Sequence, residues 1–199
     1  MTLRNITCAV TLCLLTLSGQ AVGKTEVPPY KNKSLSIEKR VDDLMGRMTL
    51  REKVLQLQNR GAGRLDEIDR IFNGESFGCT HEMGTTAAEC ATMYKELQQY
   101  MLTKTRLGIP IITSAEGIQG ILQNNCTLFP HALAQGSTFN PALIQRMTEA
   151  AGEEAKVIGI HQILSPVLDI ARELRWGRVE ETFGEDPYLI SEMGIAFIN

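Results

Sequence analysis

The order of elements in the second half of the chain limits the fold more than any other feature. A short apolar run, Ile109-Pro110-Ile111-Ile112-Thr113, follows Gly108 and leads into a polar loop. An apolar run of that length between chain breakers suits a strand buried on both faces, as in a parallel sheet. Asn140-Pro141 then offers an N-cap and a first-turn proline to a helix whose Leu143, Ile144, Met147, Ala151 and Ala155 share a face, with Gly159 as its stop. A second strand is predicted over roughly Gln162 to Leu168, and Asp186-Pro187 opens a further helix through Leu189, Met193, Ala196 and Phe197. Strand, loop, helix, strand, loop, helix is the βαβ order, whose handedness places the helices outside a parallel sheet. The expected fold class is α/β.

Upstream the pattern is helical. Ile37, Val41, Leu44, Met45 and Met48 fall on one helix face, expected to point inward. Thr49-Leu50-Arg51-Glu52 fits a capping box ahead of a stripe of Leu50, Val54 and Leu57, closed by Gly61 and Gly63. Thr86 to Glu89 fits another, ahead of an inward face of Cys90, Met93, Leu97 and Met101.

The first 23 residues stand apart. Arg4, the apolar run Ile6 to Leu17 and the small-residue pattern Ala21-Val22-Gly23 read as a secretory signal peptide, so an exported protein, periplasmic or secreted, is expected. Residues 24–35, with Pro28-Pro29, read as a flexible lead-in to a domain over 36–199. The apolar run is too short to span the ~30 Å core of a bilayer, and no other segment reaches ~20 apolar residues, so no stable membrane insertion is expected. The balance of 20 basic against 23 acidic side chains, without a basic cluster, argues against a nucleic-acid partner. If the signal is removed, Cys79, Cys90 and Cys126 remain, too few for a dense disulfide framework, and they are expected to be reduced and partly buried.

Chemistry in such a sheet collects on the loops after the carboxyl ends of the strands. Two of these loops are rich in polar groups. Ser114-Ala115-Glu116-Gly117-Ile118-Gln119-Gly120 sets one carboxylate straight after a buried strand, among residues small enough for a ligand to approach the backbone. The second loop, Asp169 to Asp186, holds three arginines, six carboxylates and the only tryptophan, Trp176. A solvated surface loop could have such a charge density. The addition of an aromatic plate to bidentate donors and acceptors is what a sugar needs, because hydroxyls accept from guanidinium and donate to carboxylate while C–H faces stack on rings.

On these residues the chain resembles a known family. Arg106-Leu107-Gly108-Ile109-Pro110, Ser165-Pro166-Val167-Leu168-Asp169 and Arg175-Trp176-Gly177-Arg178-Val179-Glu180-Glu181-Thr182-Phe183-Gly184-Glu185-Asp186-Pro187 are similar to the amino-terminal domain of glycoside hydrolase family 3, exo-acting β-glucosidases, β-xylosidases and their relatives. Met48-Thr49-Leu50-Arg51-Glu52-Lys53-Val54 extends the similarity, which runs from about Ser36 onward. The resemblance implies a (β/α)8 TIM-type barrel, here its first three or so strand–helix units, usually followed by an α/β sandwich domain. It implies a retaining mechanism on a β-linked oligosaccharide or β-glycoside, with no metal or organic cofactor. Glu116 and Arg178 would hold hydroxyls of the terminal sugar, Glu181 would orient Arg178, and Asp169 and Trp176 would support the site. Many members carry aspartate where this chain has Glu116; the extra methylene shortens the space for the sugar and favours a pentose such as xylose, although glucosidases are the larger class. The sugar-gripping lysine-histidine pair, the nucleophile and the acid/base carboxylate are expected beyond Asn199, so no catalytic residue is expected in this chain. An intact barrel takes ~250 residues, and the chain is expected to be a fragment of a longer one, inactive alone.

Other readings are weaker. Cys79, His81 and Cys90 match no closed zinc spacing. Gly61-Ala62-Gly63 follows a helix and lacks the third glycine of a dinucleotide fingerprint. His161, at a strand start, reads as a satisfied core histidine, and His131 reads as structural. Asn5, Asn32 and Asn125 head Asn-x-Ser/Thr triplets, relevant only in a glycosylating host. The competing function is a non-catalytic exported carbohydrate binder using Trp176, Arg178 and Glu116 for recognition alone.

Overall fold

The computed structural model describes residues 27–61, 63–81 and 84–199. The signal peptide expected over 1–23 and the start of the lead-in lie outside the described residues. Two compact units result, one ending at Arg47 and one beginning at Met48.

The first unit holds a 3-10 turn, Pro29–Lys31, and helix α1, Ile37–Arg47. Asp43 Oδ2 accepts from Tyr30 N at 3.1 Å, and Arg40 Nε donates to the Tyr30 carbonyl at 3.0 Å, so α1 carries the turn. The helix forms as its periodicity predicts, but α1 buries none of its residues, and Ile37, Val41 and Met45 are exposed. Met48, buried, falls beyond the helix in the second unit.

In the second unit, α2 (Leu50–Leu55) and α3 (Ile68–Phe72) precede strand β1 (Cys79–Thr80) and the long helix α4 (Ala87–Lys104). Strand β2 (Ile112–Ala115), the short α5 (Ala132–Gly136), α6 (Pro141–Ile158), strand β3 (Gln162–Ile163) and α7 (Pro187–Ile198) complete it. The three strands are parallel in the order β1-β2-β3, with Thr80 opposite Thr113 and Ser114 opposite Gln162. This is the α/β arrangement of a (β/α)8 barrel sector, in which each strand is followed by helix.

Both capping boxes form: Thr49 with Glu52 and Thr86 with Glu89 each exchange side-chain and backbone bonds. Helix α4 buries Cys90, Met93, Leu97 and Met101 as its spacing predicts, and they join Phe72, Phe77, Tyr94 and Ile111 in the larger core. Helix α6 buries Ile144, Ala151 and Ala155 and ends where Gly159 turns left-handed at φ 92°. Helix α7, capped by Asp186, packs Ile190 and Met193 on Phe183 and Ile144 in a second cluster.

Four local expectations need correction. Helix α2 ends at Leu55, well before Gly61, and turns its expected stripe outward: Leu50 and Leu57 are 79% and 87% exposed while Leu55 is buried. Six residues are too few for periodicity to fix a face, so contact with the core decides. The strand expected over Ile109–Thr113 pairs instead over Ile112–Ala115, and the one expected over Gln162–Leu168 pairs only at its first two residues. A backbone run is a strand only where a neighbour offers matching partners, and the runs themselves do not reveal that. His161 is exposed rather than a core residue, though its Nδ1 lies 2.7 Å from Thr113 Oγ1. Cys90 is buried and Cys79 and Cys126 are half-buried, with no disulfide among them.

Two of the runs that carry the resemblance meet in space. Arg106 donates through Nε and Nη2 to Glu52 at 2.8 and 2.6 Å, joining the start of α2 to the turn before β2. Arg106 holds the Glu52 carboxyl down at about 2. A carboxylate depressed on folding stabilises the protein above the ordinary glutamate value of ~4.3, and that contribution disappears as pH falls through about 2. In the full-length protein Glu52→Gln keeps the capping acceptor but loses the ion pair. It is expected to cost about 0.5–1.5 kcal/mol near neutral pH, an amount limited by the exposure of Arg106, and urea melts repeated near pH 2 should show the difference shrinking.

Candidate functional site

The carboxyl ends of the three strands bring together groups that are far apart in sequence. His81 follows β1 directly, Glu116 follows β2, and the long loop after β3 returns to the side of Glu116. That return is pinned by a parallel bridge between Val167 and Thr182 and by Ala171 N donating to the Gly184 carbonyl at 3.0 Å. Thr182 and Phe183, both buried, anchor it from below. A 3-10 turn over Val179–Glu181 then sets Arg178 and Glu181 on the same side.

Arg178 donates to Glu181 Oε2 from Nε at 2.8 Å and from Nη2 at 2.5 Å. Arg178 is 55% exposed and Glu181 22%, so the carboxylate lies beneath and the guanidinium keeps donors turned to solvent. The pair pushes the Arg178 guanidinium up, with smaller contributions from Asp169 and Glu116, and holds Glu181 below the usual carboxylate range, with a minor contribution from His131. Glu181 therefore stays charged under mildly acidic conditions and keeps the arginine oriented there.

A cleft of about 320 Å³ is lined by Glu116, Ile118, Gln119, Leu122, His131, Arg178, Glu180 and Glu181. It thus unites Glu116 and Arg178, expected to bind one ligand, with Glu181. Asp169 is exposed and close enough to Arg178 to act on it electrostatically. Trp176 is half-buried and does not line the cleft. Elsewhere in the loop Arg175 forks onto Glu173 and holds that carboxyl at about 2. A larger depression of about 950 Å³ beside the start of α4 shares no residue with the loops after β2 and β3.

His81 and His131 were not singled out for the site by sequence, yet both reach it. His81 Nε2 lies 3.5 Å from Glu116 Oε1. His131 enters the cleft wall because the buried Gln135 donates to the carbonyls of Pro130 and Ile118, at 2.7 and 3.3 Å, tying the start of α5 to the Glu116 loop. Phe129-Pro130-His131 carries no spacing that would have announced this. Among the described residues no three His, Cys, Asp or Glu side chains are grouped to hold a metal ion.

The Glu116 loop is held close to β3. Ser165 Oγ donates to the Glu116 carbonyl, and Gly117, at φ 74°, leaves no room for a side chain: an added Cβ would overlap Ile163 Cγ2. Gly117→Ala in the full-length protein is expected to destabilise it by about 1–3 kcal/mol and to weaken ligand binding by displacing Glu116. Gly152→Ala, on an exposed turn of α6 where an added Cβ meets nothing, should do neither; thermal melts and ligand titration of both variants check this.

Residues 49–199 match the family model described as the glycosyl hydrolase family 3 N terminal domain. The chain is 35% identical over 190 residues to a putative beta-xylosidase of Formosa agariphila, covering 88% of this chain and 25% of that protein. It is 32% identical over 191 residues to beta-glucosidase C of Emericella nidulans, covering 86% and 31%. The solved structure of a β-glucosidase from Erythrobacter marinus superposes with a TM-score of 0.73 at 28% identity, covering 86% of this chain and 24% of that one. The chain therefore spans between about a quarter and a third of the length of the curated relatives named here.

Proposed function

Because the chain belongs to glycoside hydrolase family 3, we propose that it forms the sugar-binding part of an exo-acting, retaining β-glycosidase. The β-glucosidase and β-xylosidase names of its relatives support that reaction class. The observation that carries it is the shared cleft of Glu116 and Arg178. A carboxylate that only accepts and a guanidinium that only donates face one space of sugar size. Adjacent hydroxyls of a terminal sugar satisfy both, each donating to Glu116 or accepting from Arg178. Glu181 fixes the guanidinium in advance, so less freedom is lost on binding.

Retention proceeds through two carboxyl groups ~5 Å apart. One attacks the anomeric carbon while the other protonates the departing glycosidic oxygen; water then releases the sugar from the first. In this reading those two groups come from the portions of the protein that the relatives contain and this chain does not span. The role of the residues here is to bind and orient the sugar. A β-glucoside is the first expected substrate, and a β-xyloside the second, which the longer Glu116 side chain favours. Arg4 and the apolar run Ile6–Leu17 support an exported site of action. Assay of the full-length protein on aryl β-glucoside and aryl β-xyloside tests the proposal: turnover of either is expected, and inactivity on both would remove it.

A further inference from the structure

We infer that His81 is a positioning residue for the Glu116 carboxylate, an inference that rests on the β-glycosidase reading above. His81 sits one residue past β1 and reaches across to the loop of the neighbouring strand. Its Nε2 stands 3.5 Å from Glu116 Oε1, and its Nδ1 stands 3.2 Å from Ser114 Oγ. Both ring nitrogens thus meet polar partners; turned by half a rotation, the ring would present carbon to each.

On the other side of the ring, Nδ1 meets Ser114 Oγ, whose own hydrogen goes to the Thr80 carbonyl. Ser114 is buried, and its Oγ lies 2.9 Å from the Thr80 carbonyl, so the far end of the ring is fastened to the β1–β2 ladder itself. The tilt of the imidazole is therefore set by the sheet rather than by solvent. At 3.5 Å the His81–Glu116 contact is longer than a good hydrogen bond, and what it supplies is orientation.

Arg178 shares the cleft with Glu116 from the loop after β3, while His81 stands beside Glu116 from β1. A glutamate has one more torsion to fix than an aspartate. Flanked from both sides, its carboxylate has fewer orientations to lose when hydroxyls arrive. A bound sugar also displaces water from the cleft, which strengthens the His81 interaction in the complex.

The test is a double-mutant cycle in the full-length protein on an aryl β-glycoside. His81→Gln is expected to raise KM about 3- to 10-fold with kcat within about twofold, the split that marks lost binding without lost chemistry. In a Glu116→Gln background the same substitution should change KM by less than about 1.5-fold, because the group it positions is gone. An equal change in both backgrounds would make His81 a packing residue and overturn the inference, as would no change in either. Nitrogen-15 NMR of the imidazole supplies an arm independent of turnover: the His81 Nε2 resonance should move on Glu116→Gln, and a resonance that stays in place overturns the inference. A wild-type protein inactive on every β-glycoside would instead overturn the functional reading, and the NMR arm would still decide His81.

Discussion

Arg178→Ala in the full-length protein is expected to lower kcat/KM on its preferred aryl β-glycoside by about 10- to 200-fold. On the proposed reading the guanidinium, aimed by Glu181 through Nε and Nη2, makes charge-assisted hydrogen bonds to the sugar, and their loss sets that range. Removing it also leaves Glu181, which lies beneath it, without its main partner. Arg178→Lys should not restore activity. A lysine ammonium is a point charge on a flexible stem and cannot grip the Glu181 carboxylate and the sugar at once in a planar fork. Steady-state kinetics of both variants, with circular dichroism to verify folding, decide the matter. Kinetics like those of the wild type in either variant would make the arginine structural and remove it from the sugar site.

The second large effect concerns the 199 residues expressed alone: no sharp thermal transition and no glycoside turnover are expected. Among the described residues β3 pairs only with β2, so its outer edge is open, and open edges invite association. The second unit also leaves Leu168, Ile170, Val157, Ile195 and Ile198 exposed, although it lies within a family whose barrel closes by adding further strands and helices. Ordering the chain costs about 1–2 kcal/mol per residue, and a sector buries less of its surface than a closed barrel does. Turnover fails for a separate reason. On the proposed reading Glu116 binds the sugar and Glu181 orients Arg178, so neither serves as the nucleophile. Circular dichroism melting and an aryl-glycoside assay on purified monomer test both halves. A cooperative transition would refute the first, and turnover abolished by Glu116→Gln would refute the second and make Glu116 itself a candidate nucleophile.

Some of the architecture was already written in the sequence, and it is the part governed by neighbours along the chain. Helices α4, α6 and α7 begin at Thr86, Asn140 and Asp186, and α6 stops at Gly159, because caps and left-handed stops act within one helical turn. The parallel α/β class followed from the alternation of elements. Glu116, Arg178 and Glu181 could be picked out because short motifs carry them, and the Arg178–Glu181 pair needs only a three-residue spacing to form.

Tertiary structure decided everything that depends on which strand lies beside which. Strand β1, two residues long, has no apolar run to announce it and exists because Cys79 and Thr80 meet Ile112 and Thr113. The same register carries His81 to Glu116 across 35 residues, and the hydrogen bonds of Gln135 carry His131 into the cleft. Helix α2 turned its apolar stripe outward because core contact at Leu55 outweighed a pattern only six residues long. Periodicity and caps report forces that act over one or two turns. Pairing register and the folding back of a loop are set by the packing of segments dozens of residues apart, and no local pattern encodes them.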